Sequence, residues 1–261
     1  MKALKRFYVL LVYIILYAPI AILILYSFND SKIRGKFSGF SLRWYKDLFK
    51  DGEILRALYY TILCALIASV LSTIIGTITA IGMYKMKKSA KTVLMNLSYI
   101  PMLNPEIVTG VSLMLLFVFL SMQRGFTTML LAHLVFDIPY VIISVIPKLK
   151  QMNPYLFEAA LDLGAHPFYA YRRVVLPEIM PGIITGFLFA MTMSIDDFVI
   201  SFFTTGNGVQ NLSILIYDSA KRGISPKINA LSTLMFITML VLLIIVNKRD
   251  DTQKTLYGKD D

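Results

Sequence analysis

The sequence predicts an all-α integral membrane protein with six transmembrane helices. Of 261 residues, 57% are hydrophobic and only 16% are charged, whereas a soluble domain carries about 25% charged residues. Six stretches hold no Lys or Arg and reach the roughly 20 apolar residues that a membrane helix needs, near Phe7–Ser27, Ala57–Tyr84, Val93–Leu120, Phe126–Ile146, Ile179–Phe203 and Ile228–Val246. Runs such as Leu10–Ile15 and Leu240–Ile245 lack the alternation of a barrel strand. Disorder is excluded by the same hydrophobicity. The single cysteine, Cys64, supports neither a disulfide framework nor a cysteine-rich metal site and reads as helix packing.

The first span follows Lys2, Lys5 and Arg6 like the start of a signal peptide. Its length, and the lack of an Ala-x-Ala site before Ser27, predict a retained anchor. Residues 28–56 form a first outer loop carrying seven basic residues, and its Trp44 is expected to anchor at the membrane interface. In the second span Ala68, Ser72, Gly76 and Ala80 recur every four residues, a spacing that lets backbones approach closely in lipid. Gly182 and Gly186 repeat the pattern in the fifth, and both stripes read as bundle packing. Lys85, Lys87, Lys88 and Lys91 form a short inner loop. Pro101 and Pro105 interrupt the third span and Pro139 the fourth, freeing backbone groups that must be re-satisfied within the bundle or beside a wet cavity. With both termini cytoplasmic, 15 basic residues fall inside and 11 outside, a thin majority for the positive-inside rule. The net charge of +10 is therefore juxtamembrane charge and not a nucleic-acid footprint.

The segment 147–178, between the fourth and fifth spans, is only partly apolar. Asn153 can cap a helix with Pro154 at its first position. Phe157, Ala160 and Leu161 share one face, and Gly164 stands where a left-handed residue ends a helix. A second short helix is expected to start at Pro167 after His166 and to end at Pro177. The prediction is a helical hairpin at the inner surface, carrying Arg172 and Arg173.

Its fixed elements are Glu158-Ala159-Ala160, Gly164, Val174 and Leu176-Pro177. This spacing resembles the EAA loop of ABC-importer permeases, with Val174 where that family usually has Ile. The stretches Phe40-Ser41-Leu42-Arg43-Trp44-Tyr45, Pro105-Glu106-Ile107-Val108, Ser194-Ile195-Asp196-Asp197, Gly223-Ile224-Ser225-Pro226 and Asn229-Ala230-Leu231 are similar to the spermidine/putrescine permeases of the PotC type. Glu106 stands where that family is expected to have Asp, which keeps the charge. The resemblance implies a single permease domain over 1–261 with the fold of type I ABC importers. It further implies a second permease subunit, an ATPase dimer that binds ATP and Mg, an extracytoplasmic binding protein and polyamine cargo, in a bacterial plasma or inner membrane. The coupling residues would be Glu158, Ala159, Ala160, Gly164, Arg172, Arg173, Leu176 and Pro177. No Gly-x4-Gly-Lys-Ser/Thr run occurs in the chain, so the phosphate-binding loop of an ATPase must come from elsewhere. No Ser/His/Asp or Cys/His arrangement points to catalysis, and no cofactor is expected in this chain.

The in-span charges are all acidic: Glu106, Asp137, Asp196 and Asp197. A carboxylate at the bilayer centre costs about 2.5–3.5 kcal/mol on insertion scales, so such residues line pathways more often than lipid. They suit a polyamine, whose ammonium groups want carboxylates and whose methylenes and charges can rest on rings such as Tyr140 and Phe198. Alternatives stay open at this point. Asp137 either faces the pathway or bonds His133 one turn earlier, Glu106 either lines the pathway or caps a restarted helix, and adjacent Asp196 and Asp197 cannot share one wall. His133 and His166 are too few for a metal site. Other small cations or solutes as cargo, an ion-gradient-driven secondary transporter, and a membrane scaffold are the competing functions.

Overall fold

The structure, a computed structural model, describes residues 2–31, 37–206, 208–222 and 226–257. The motif residues Gly223, Ile224 and Ser225, and the outer-loop bases Lys32, Arg34 and Lys36, lie outside the described residues. The helices are α1 (Lys2–Ser27), α2 (Arg43–Leu48), α3 (Gly52–Lys85), α4 (Lys88–Leu103), α5 (Glu106–Phe119), α6 (Phe126–Gln151), α7 (Leu156–Asp162), α8 (Pro167–Ala170), α9 (Leu176–Asp196), α10 (Val199–Thr204), α11 (Leu212–Arg222) and α12 (Pro226–Tyr257). Among the described residues, five helical stretches are long and apolar enough to cross a membrane, and α4 with α5 makes a sixth if that bent pair is one span.

Two expected spans are broken. The third is two helices bent by 102°. The chain turns at Asn104–Pro105 because the residue before a proline is pushed out of helical geometry; Asn104 is extended, with ψ 142°. Pro101 stays inside α4. The fifth span stops at Asp196 and restarts at Val199. The inner hairpin also differs from expectation at Pro177, which does not end a helix. Pro177 sits at the start of α9, where its missing N–H costs little, and α8 runs into α9 through a π-helical turn at Tyr171–Val175.

The chain packs as two units, Tyr59–Asn211 with Leu242–Asp261, and Met1–Leu58 with Leu212–Val241. In the first, α6 is the central element. A Cβ on Gly76 of α3 would lie 2.7 Å from Val141 Cβ, one on Gly186 of α9 3.0 Å from Val141 Cα, and one on Gly182 2.8 Å from the Ser144 carbonyl oxygen. The small-residue stripes therefore do pack helices: α3 and α9 both close on α6 at distances only glycine allows. Toward the 147–178 hairpin this unit has a core of Met83, Val145, Ile146, Leu149, Met152, Val175 and Ile179.

In the second unit, the start of the outer loop folds onto itself. Ser41 N–H donates to the Phe28 carbonyl at 2.7 Å and Asp30 N–H to Gly39 at 3.1 Å, while Phe28, Phe40 and Tyr45 group their rings. Trp44 is only 5% exposed and its indole N–H donates to the Asn29 carbonyl at 2.6 Å. It packs with Leu48, Ile54, Leu212, Leu215 and Leu231. It is thus a core residue and not the interface anchor expected from composition, because α11 and α12 complete an apolar slot for it and the loop supplies an acceptor for its donor.

Candidate functional site

The two chain breaks meet at one place. A cavity of about 200 Å³ is lined by Pro101, Met102 and Asn104 at the end of α4, Glu106 and Thr109 of α5, Phe136 and Tyr140 of α6, Met193 and Asp196 of α9, and Asp197, Phe198, Val199 and Ile200 at the second break. Interrupted helices in lipid need such a setting, since their unpaired backbone groups must face protein or water. At about 30 Å³ per water the space holds several molecules.

Each carboxylate on its wall has a local cause. Glu106 is exposed in the first turn of α5, where the helix dipole favours an acid. Asp196 is exposed at the last residue of α9, the negative end of the dipole, where an acid is disfavoured unless a cation visits. Asp197 is turned the other way and is 9% exposed. Its carboxylate accepts from Ile200 N–H at 3.2 Å and Ser201 N–H at 2.7 Å, which caps α10. Asn211 donates to its backbone carbonyl at 3.0 Å.

Behind the cavity, His133 joins three elements. One ring nitrogen lies within hydrogen-bonding distance of Ser194 Oγ on α9. The other is 3.0 Å from Ser201 Oγ on α10 and 3.4 Å from Asp197 Oδ2. Thr128 Oγ1 adds a tie from α6 to the Thr204 carbonyl at 2.8 Å. This network holds the broken span in place. His133 was open to view as a polar residue in an apolar helix, but its partners come from a later span.

Asp137 makes no bond to His133, which is already engaged by Ser194, Ser201 and Asp197. It is 0% exposed, and neither of its oxygens has a hydrogen-bond partner among the described residues. Tyr140, one turn on, does line the cavity. The four in-span acids thus divide: Glu106 and Asp196 open on the cavity, Asp197 is engaged at its back wall, and Asp137 is enclosed.

In the hairpin at 147–178, α7 begins two residues later than expected, at Leu156. Asn153 Oδ1 accepts from Tyr155 N–H at 3.0 Å and forms a turn before the helix. Gly164 is left-handed, with φ +82°. Ala165 N–H donates to the Ala160 carbonyl at 3.1 Å and Gly164 N–H to Leu161 at 2.8 Å, the paired closure of a Schellman end. His166 caps α8 through Phe168 N–H. Phe157 and Leu156 pack inward, while Glu158, Ala159 and Arg172, Arg173 are exposed beside Tyr155, Leu163, Phe168 and Tyr169. Leu176 is half-buried and Pro177 exposed where α9 begins. The hairpin therefore offers an apolar, partly charged surface held on a rigid turn.

The profile of the family described as binding-protein-dependent transport system inner membrane component matches residues 72–248, from α3 to α12. The chain belongs to this permease family. The permease is 36% identical over 233 residues to the spermidine/putrescine transport system permease protein PotC of Escherichia coli, covering 89% of this chain and 88% of that one. It is 37% identical over 233 residues to the putrescine transport system permease protein PotI of the same species, covering 87% and 83%. Among solved structures it is similar to a chain of a bacterial ABC transporter involved in the import of the acidic polysaccharide alginate, with a TM-score of 0.64 at 15% identity over 98% of each chain. It is also similar to the MetNI methionine ABC transporter, with a TM-score of 0.56 at 18% identity over 77% of this chain and 93% of that one. At such identities the likeness is one of fold, and the fold is that of ABC-importer permeases.

Proposed function

We propose that this permease forms half of the translocation pathway for polyamines such as spermidine and putrescine, in an importer driven by a separate ATPase. A second permease subunit completes the pathway, an extracytoplasmic binding protein delivers the cargo, and the ATPase dimer binds ATP and Mg. This chain supplies no catalytic group and no cofactor site. Both termini and the hairpin at 147–178 face the cytoplasm, and the loop at 28–56 faces outward.

The observation that carries the cargo assignment is the cavity where the two spans break. Glu106 and Asp196 open on it, and Tyr140, Phe136 and Phe198 flank it. An ammonium can sit between the carboxylates while the adjoining methylenes rest on the rings, with cation–π attraction adding about 0.5–2 kcal/mol. Identity of 36–37% to permeases named for spermidine and putrescine supports the same cargo. Asp197 serves as a positioning residue that holds the break open. Asp137 is a deeper carboxylate that an ammonium reaches once the bundle rearranges. The site is weak by design, since cargo must leave as well as enter.

Coupling runs through Glu158, Ala159, Ala160 and Gly164, with Arg172 and Arg173 beside them and Leu176-Pro177 leading into α9. The exposed apolar side chains around Ala159 fit a partner's groove. ATP-driven closure of the ATPase would press the hairpin and turn the cavity outward; hydrolysis would reset it. The test is purification of the whole complex in lipid, with ATP hydrolysis measured against binding protein loaded with spermidine, putrescine or arginine. Stimulation by the polyamines supports the assignment. Stimulation by arginine alone, or by none, refutes it.

A further inference from the structure

Lys85 ends α3, at the negative pole of the helix where a cation is favoured. Its Nζ lies 4.0 Å from the ring centroid of Phe157 on α7 and 5.1 Å from that of Tyr171 in the π-helical turn. The two rings are themselves 4.6 Å apart. One ammonium thus touches the coupling helix and the turn that leads into the fifth span, from a helix remote from both in sequence. Phe157 and Tyr171 also pack against the inner core, so the rings are held where the cation meets them.

The hairpin needs such a tie. Its covalent route to α9 runs through Tyr171–Val175, whose five residues form a π turn. π turns are wide and less regular than α-helix and recur at functional sites. Force entering at α7 would be partly absorbed there before it reached α9. The lysine bridge bypasses that turn and reaches α3, whose Gly76 packs directly on α6.

We propose that Lys85 is a transmission residue: it clamps the Phe157–Tyr171 ring pair so that α3 moves with the coupling hairpin when the partner ATPase closes. This rests on the coupling role proposed above for the hairpin. Lys85 meets α7 at Phe157, which packs on the core, and not at the exposed Glu158 and Ala159.

The experiment uses the complete transporter in lipid nanodiscs, with spin labels at Met86→Cys and Asp162→Cys, both exposed positions. In the otherwise native complex the label distance stays unchanged between the nucleotide-free state and the ATP–vanadate state, because the clamp moves α3 and α7 together. In Lys85→Met, which keeps the apolar stem, the distance shifts or its distribution broadens on ATP–vanadate trapping. The ATP-driven transport of spermidine per ATP hydrolysed falls about two- to fivefold, as expected for an exposed cation–π contact. Lys85→Arg restores both readouts, and Phe157→Leu reproduces the loss without adding to Lys85→Met. ATPase co-purification is unchanged in all of them. Unaltered distances and coupling in Lys85→Met, or a Lys85→Arg variant as defective as Lys85→Met, overturns the clamp alone. If the ATPase is not retained by the native complex, or Gly164→Arg leaves it bound and coupled, the docking assignment fails and the clamp falls with it.

Discussion

Replacing one of two adjacent aspartates separates the proposed cargo contact from a structural one. In Asp196→Asn the carboxylate exposed on the cavity becomes neutral, while nothing in the His133 network loses a partner. At about 4 Å and an effective dielectric of 20, carboxylate and ammonium attract by about 4 kcal/mol before desolvation. A hydrogen bond to a charged group nets about 1.5–3 kcal/mol, which is roughly a 10- to 150-fold loss in uptake efficiency. Asp197→Asn has a different signature. Its carboxylate accepts two backbone N–H groups, at 3.2 and 2.7 Å, and faces His133 at 3.4 Å. An amide presents a single acceptor oxygen, so one buried donor is stranded at a cost of about 1–3 kcal/mol, read as a lower melting temperature of the purified permease. The assay is spermidine uptake into proteoliposomes at saturating binding protein, beside thermal unfolding of each variant. Native uptake by Asp196→Asn at equal protein level would refute the cavity assignment. So would an Asp197→Asn variant of native stability with the larger transport defect.

Three further outcomes follow from the geometry. Gly164→Ala forces a side chain into φ +82° and should cost about 1 kcal/mol of local stability, whereas Gly164→Arg should also abolish ATPase retention in pull-down while the permease still inserts. Gly182→Ala places a methyl 2.8 Å from the Ser144 carbonyl oxygen; overpacking of this kind costs about 1–3 kcal/mol, visible as a lower melting temperature. Just before α3, Lys227 donates to Asp51 at 2.8 Å and holds its carboxyl below the ordinary value of 3.8. A depressed folded pKa adds stability above the unfolded value and loses it as pH falls through the folded one. Asp51→Asn should therefore cost about 1 kcal/mol at neutral pH, the pair being partly exposed, and that difference from the native protein should shrink as pH falls below 3.8 and vanish only below the lowered folded value.

The meeting of two broken spans gives the cavity its chemistry. A continuous fifth span would hold Asp196 and Asp197 about 100° apart on one helix, with neither fixed in function. Breaking the helix between them turns Asp197 into a cap for α10 and leaves Asp196 at the end of α9, facing Glu106 and Tyr140 around the same space.

The amino-acid order alone determined the membrane-spanning character, the approximate place of the helices, the glycine that ends α7 and the stripes on which α3 and α9 approach α6. These follow from local composition and spacing: apolar length, a left-handed position that excludes a Cβ, and small residues one turn apart. Tertiary structure alone decided the break after Asp196, the different surroundings of the two aspartates, the isolation of Asp137, the burial of Trp44 and the meeting of Lys85 with Phe157 and Tyr171. No proline or glycine marks residues 196–198. The break is held instead by His133 and its hydroxyl partners, 61 and 68 positions away. Such partners become neighbours only after the helices pack, so no local pattern in the chain announces them.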